Sequence, residues 1–401
     1  MRFQVMAEQS GTPQARRSIL GLGMAGLAAL ALAGCALVPK PNQAPPPPPE
    51  QAKPEQPKPE QPLPALPRDE TRNRVAVLVP LSGANGGVGT SIANAAQLAL
   101  LDTGGERIRI TVYDTARAGG AAAAAEEALA QGNGLILGPL LADDVRAVAP
   151  VARHSGVPVI AFSNDISVAG DGVYLMGFAP GESIDRVVGY ARSRGMTRFA
   201  ALTPNGTYGE RAGRAMRDIV EHSGGRLVGL QGYDRDAASM RAAVTRVSAQ
   251  GAYDAILIAD SGRIAAVAAP MLRGTRIMGT ELWATEGDLG RTPSLRGAWY
   301  AAASDTMFNQ LRTKYRARYG SNPYRLASLG YDAVLLAVRI GKDWRVGRAF
   351  PERQLRDPGG FVGVDGAFRF DGSNIVERAL EVREVTTAGP TVLSPAPKGF
   401  E

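Results

Sequence analysis

Apolar residues in this chain come in short unbroken runs separated by amphipathic stretches. Val75 to Val79 is continuous and stops at Pro80, the pattern of a strand covered on both faces. Glycines 83, 86, 87 and 89 predict a loop after it, and residues 92–101 a helix. The same alternation continues: strand 108–113, helix 121–130, strand 135–137, helix 143–154, strand 157–162. In the helix at 143–154, Val145, Val148, Val151 and Ala152 fall on one side. A second series follows, with helices at 183–194, 208–222, 239–250 and 263–272 alternating with strands at 199–202, 227–232, 255–259 and 277–279. Strand–helix repeats joined by short turns imply parallel sheets with helices on both faces. Two series imply two α/β lobes, each a doubly wound parallel sheet. Such sheets place their binding crevice at the carboxyl ends of the strands.

The first 73 residues follow another pattern. Arg16 and Arg17 precede an apolar stretch, residues 19–33, that closes on Leu32-Ala33-Gly34-Cys35. A basic segment, a short apolar segment and small residues at the cut are the order of a secretory signal. At about 15 residues the stretch is short for a membrane span, which needs about 20. Cys35 is the sole cysteine among 401 residues. Its setting resembles the lipobox of bacterial lipoproteins, which implies lipidation of Cys35 and removal of residues 1–34; an ordinary signal peptide with an incidental cysteine, or an uncleaved anchor, is the alternative. Ala36 in place of Asp favours the outer over the inner membrane. From Pro39 to Pro67 the chain is mostly Pro with Gln, Glu and Lys. It has little to bury and lacks many backbone donors, so residues 35–73 read as a polyproline tether. Fully extended, it would reach on the order of 100 Å at about 3.1 Å per residue.

The formal net charge of +7 is mild for this length and forms no Lys/Arg block, so no nucleic-acid site is expected. With one cysteine there is no internal disulfide. His154 and His222 are the only histidines, one in each series, which leaves neither a Ser-His-Asp arrangement nor a histidine metal site. Residues 83–90 resemble a phosphate loop without its Lys. No catalytic residue, metal or cofactor is expected.

Several pieces in order carry a resemblance. They are Val77-Leu78-Val79-Pro80-Leu81-Ser82-Gly83, Leu137-Gly138-Pro139, Gly156-Val157-Pro158-Val159-Ile160, Tyr208-Gly209, Gly330-Tyr331-Asp332-Ala333 and the run from Gly363 to Gly372. Together they resemble the type I periplasmic binding proteins of the leucine/isoleucine/valine-binding class. The resemblance implies two lobes around a hinged cleft, with three chain crossings: residues 74–180 and 303–355 in one lobe, 181–302 and 356–393 in the other. Gly138-Pro139-Leu140-Leu141-Ala142, Ala161-Phe162-Ser163-Asn164-Asp165 and residues 360–366 further resemble the penicillin-binding protein activator lipoproteins. That narrower likeness implies a peptidoglycan synthase as partner. The helical-repeat domain of the enteric activators is replaced here by the Pro-rich segment.

In the receptors a Ser/Thr hydroxyl and backbone N–H groups hold the ligand carboxylate, and an acidic group in the second lobe holds its ammonium. A buried charged ligand needs such partners at both ends. The cleft candidates in this chain are Ser82, Leu141, Ala142, Ser163, Asn164, Asp165, Tyr208, Glu281 and Trp283. Leu140, Leu141 and Ala142 lack the hydroxyl, and Asp165 would repel a carboxylate, so the amino-acid site looks degraded. Two functions remain from this reading: a tethered regulator of cell-wall synthesis, or a receptor that hands a small molecule to an ABC-type importer.

Overall fold

The computed structural model describes residues 71–400. Cys35, the signal segment and the tether up to residue 70 lie outside the described residues. Lobe 1 opens with β1 (Asn73–Val79), α1 (Gly86–Asp102), β2 (Ile108–Asp114), α2 (Gly120–Ala130), β3 (Asn133–Leu137), α3 (Ala142–His154), β4 (Val159–Ala161) and β5 (Val173–Leu175). The chain crosses to lobe 2 for α4 (Pro180–Ser193), β6 (Arg198–Pro204), α5 (Thr207–His222), β7 (Arg226–Tyr233), α6 (Ala237–Ala249), β8 (Ala255–Ile258), α7 (Gly262–Ala268), β9 (Arg276–Gly279) and β10 (Trp299–Ala302). It returns to lobe 1 for α8 (Asp305–Tyr319), α9 (Ala327–Gly341), β11 (Phe361–Gly363), β12 (Gly366–Phe370) and β13 (Val376–Arg378), then ends in lobe 2 with β14 (Glu381–Thr386) and β15 (Gly389–Ser394).

The lobe 1 sheet has the order β2-β1-β3-β4-β5, all parallel. The lobe 2 sheet runs β15-β14-β10-β9-β8-β6-β7, with β14 and β15 antiparallel at one side. Both are covered on two faces. Val75, Val77 and Val79 pack toward α1 and α9 with Ile92, Ala96, Ala333 and Ala337. Ala76 and Leu78 face α2 and α3 with Ala124, Ala128, Val145 and Val148. Each fully buried Val or Leu adds roughly 1.5–3 kcal/mol, which explains why every β1 side chain is apolar beyond Arg74.

Two expectations change. The glycine-rich loop is shorter than its composition predicts, because α1 begins at Gly86 and takes in Gly87 and Gly89. Its first turn presses on the end of β1: a Cβ on Gly89 would lie 1.8 Å from the Pro80 carbonyl oxygen. The segment expected wholly in lobe 2 from residue 356 divides. The hairpin of β11, β12 and β13 packs Phe361, Phe368, Phe370 and Val376 into the lobe 1 core beside Tyr174 and Leu355. It also extends the lobe 1 sheet through a parallel bridge, Leu175 to Ile375. The third crossing therefore falls after Arg378, and aromatic burial decides it: the Tyr174 and Phe370 rings meet edge to face at 5.3 Å.

Candidate functional site

The cleft lies between the carboxyl ends of the two parallel sheets. On the lobe 1 side, Gly138 turns the chain out of β3 with φ +98, and a Cβ there would meet the Leu78 carbonyl oxygen at 2.1 Å. Only glycine fits; beyond it Leu140 packs against the lobe 1 core and Leu141 faces the cleft. Leu141 precedes α3 without a side-chain cap and is 39% exposed. With Ala142 it lines a cavity of about 970 Å³ whose far wall, Thr207, Arg211 and Arg214, belongs to lobe 2. Ser82 stands exposed in the turn after β1, with no side-chain cap bond.

The turn after β4 is built around Asp165. Ser163 is buried and its Oγ accepts from the Asp165 backbone N–H at 3.1 Å. The Asp165 carboxylate accepts from Ser167 N–H at 3.1 Å and Ser167 Oγ at 2.7 Å. Arg146 on α3 reaches it at 2.8 Å and Arg211 on α5 at 2.7 Å. Burial pushes this carboxyl upward, but Ser167, Arg211 and Arg146 together hold it below the ordinary range. Asn164 is exposed and accepts from Arg211 Nη1 at 2.9 Å.

On the lobe 2 side, Tyr208 sits in the first turn of α5. Its hydroxyl is 3.0 Å from both Glu281 Oε1 and Thr280 Oγ1. The other Glu281 oxygen accepts from Ser183 Oγ at 2.5 Å. Burial raises the Glu281 carboxyl, and the Ser183 and Tyr208 bonds pull it back in part. Burial and the neighbouring Glu281 charge also raise the Tyr208 hydroxyl well above its usual value, so it stays a neutral donor. Trp283 is not a cleft residue. It is fully buried in the lobe 2 core, tilted against Tyr300, with Nε1 donating to the Asp260 carbonyl at 2.9 Å.

Behind Glu281 the crossings converge. Pro180 opens α4 as its first residue and sets Glu182 in the first turn. Arg378, at the end of β13, pairs with Glu182 at 2.9 Å and donates to the carbonyls of Met176 and Gly177 in the first crossing. Its guanidinium also lies 4.4 Å from the Phe178 ring centre. Arg383 ties the second crossing to the third through Asp305, Glu381 and the Ala303 carbonyl.

The structure thus joins Leu141, Ala142 and Asp165 around one cavity and Tyr208 with Glu281 in one bonded group; Trp283 stands apart. Sequence reasoning missed Arg146, Ser183, Glu182, Arg211 and Arg378. Arg211 had one usable signal: it follows Tyr208 by three residues and so shares its face of α5. Among the described residues, no group of three or more His, Cys, Asp and Glu could hold a metal ion. His154 and His222 are both exposed. No helix among the described residues is long and apolar enough to cross a membrane.

Known proteins place this arrangement. A putative branched-chain amino acid ABC transporter protein from Rhodospirillum rubrum superposes with a TM-score of 0.71 at 21% identity, covering 80% of this chain and 100% of that one. A solute binding protein from Rhodopseudomonas palustris, solved with 3,4-dihydroxybenzoic acid, gives 0.62 at 19% identity over 83% of this chain and 98% of its own. The branched-chain amino acid transporter substrate binding protein of Streptococcus pneumoniae, solved with isoleucine, gives 0.57 at 18% identity over 81% and 100%. An uncharacterized protein of Rickettsia prowazekii is 24% identical over 181 residues, 45% of this chain. The chain spans about half of that relative, 48% of its length. Residues 73–354 match the periplasmic binding protein family, and with two α/β lobes, three crossings and a cleft at the strand ends, the chain shares the fold of these solute-binding structures and belongs to that family.

Proposed function

We propose that this protein is a non-catalytic lipoprotein whose periplasmic binding domain works by protein contact, activating a peptidoglycan synthase. One observation carries this reading: the groups that would receive an amino acid are already engaged with each other. Glu281, the candidate for a ligand ammonium, is bonded to Ser183 and Tyr208. Asp165 is held by Arg146 and Arg211, and Leu140, Leu141 and Ala142 offer no hydroxyl. A buried charge needs a partner, and here the chain supplies both members of each pair. Lipidation at Cys35 and the Pro-rich segment to Pro67 would hold the domain at a distance from the outer membrane, toward a synthase in the inner one.

The test is capture of the mature lipoprotein, cross-linked in cells and recovered from detergent-solubilised envelope. Recovery of a penicillin-binding protein, whose glycan or peptide synthesis rises when the purified domain is added, is the expected result. Recovery of an importer permease instead would overturn it. A receptor for an ABC-type importer is the second reading, favoured by the solute-binding proteins among the structural neighbours, two of which hold isoleucine and 3,4-dihydroxybenzoic acid.

A further inference from the structure

Binding proteins of two lobes ordinarily have something to gain from a ligand, because contacts across the cleft form when it closes. In this chain side chains of the two lobes meet one another directly across the cleft. Arg211 projects from α5 in lobe 2. Its Nη2 meets Asp165 at 2.7 Å and its Nη1 meets Asn164 at 2.9 Å, both in lobe 1. The acceptors are also held by groups of lobe 1 itself. Ser163 and Ser167 hold the turn, and Arg146, from lobe 1 itself, takes the same Asp165 oxygen at 2.8 Å. The contact is sheltered as well: the Asp165 side chain is 8% exposed and that of Arg211 16%, against 52% for Arg146. A charge-assisted pair in such a setting is screened less by salt than a surface pair.

We propose that Arg211, clasped to Asn164 and Asp165, is a latch that keeps the two lobes closed in the absence of any solute. An anchored carboxylate of the chain replaces the ligand as the group that the second lobe closes upon. The bilobed face is then a standing surface rather than one assembled by ligand binding. This inference holds whichever partner the domain serves.

The test measures lobe separation by pulsed electron paramagnetic resonance on the full chain without added ligand. Cys35→Ser removes the native thiol, and spin labels go on Ala147→Cys in α3 and Arg217→Cys in α5, both exposed. One narrow, short distance is expected, and Arg211→Ala should shift it to a longer, broader distribution. Asp165→Asn is the second variant, since it keeps the shape of the turn while removing the charge. Arg211→Lys should recover the short distance only in part, because an ammonium cannot hold both acceptors in a fixed fork. A broad, long distribution in the unsubstituted latch would overturn the proposal. So would a narrow one that neither Arg211→Ala nor Asp165→Asn changes.

Discussion

Glu182 and Arg378 meet at 2.9 Å where the first and third crossings run side by side. The pair joins the start of α4 in lobe 2 to the end of β13 in lobe 1. Burial dominates the Glu182 carboxyl and raises it; Arg378 draws it down, the Glu281 charge pushes it up, and the outcome is about 7. An unfolded glutamate titrates near 4.3. The folded state therefore holds this proton more tightly, and stability from it is complete below about pH 4 and lost as pH rises through about 7, on the order of 3 kcal/mol. Asp332, buried beside Asp365, is raised as well and acts with the same sign. The melting temperature should fall from pH 5 to pH 8. Glu182→Gln should shrink that fall without removing it; an unchanged slope in this variant contradicts the assignment.

The cleft should ignore free amino acids. A ligand at 100 times its dissociation constant stabilises a protein by about 2.7 kcal/mol, a plain shift in a melting curve. Leucine, isoleucine and valine should each leave the curve where it is, because Glu281 already has two donors. A shift with any of them favours the importer receptor.

Trp283 separates a core role from a cleft role. Trp283→Ala should cost about 3–5 kcal/mol in chemical denaturation, since it empties the space under Tyr300 and leaves the Asp260 carbonyl without its donor. A loss below about 1 kcal/mol would return the residue to the cleft.

Gly89 and Gly87 sit two residues apart in α1 and should respond in opposite ways. Gly89→Ala forces a methyl against the backbone of Pro80 and should destabilise by about 1–3 kcal/mol. At Gly87 the nearest atoms are the flexible end of Tyr324, at 3.1 Å, so Gly87→Ala should be neutral or gain up to about 1 kcal/mol from helix propensity. Urea midpoints of the two variants decide it.

Cys35 and the Pro-rich segment carry the proposal on anchoring. Cys35→Ala should abolish labelling by a fatty acid in growing cells. Removing about 20 residues between Pro39 and Pro67 should leave a folded, lipidated protein that no longer supports wall synthesis. Shuffling the same residues should be tolerated, because stiffness and length govern reach. A shortened protein that works as well as the full one contradicts the argument from distance.

Legibility in the sequence follows how local each signal is. Val75–Val79 and Leu135–Leu137 are continuous apolar runs because both faces of their sheet are covered, and they read directly as strands. β5 is three residues, Val173–Leu175, too short for a period to show. The division of the segment after residue 356 between the lobes depends on Phe361, Phe368 and Phe370 finding Tyr174 nearly two hundred residues earlier, which no window reveals. At the cleft, Tyr208 and Glu281 could be named from their motifs, and Trp283, two residues from Glu281, was drawn in by proximity. The partners that set their chemistry, Ser183, Arg211 and Arg378, look like ordinary helix-surface and strand-end residues until the fold joins them.

The start of β1 has a mechanical meaning. Asn73 lies at the amino end of the lobe 1 sheet, and the cleft lies beyond its carboxyl end, on the order of 20 Å away along seven residues. Tension applied through the preceding chain would run along β1, which is bonded on one side to β2 and on the other to β3. Those bonds lie across the direction of pull, so they bear load together in shear and do not open one at a time. A strand in that position makes a sturdy handle.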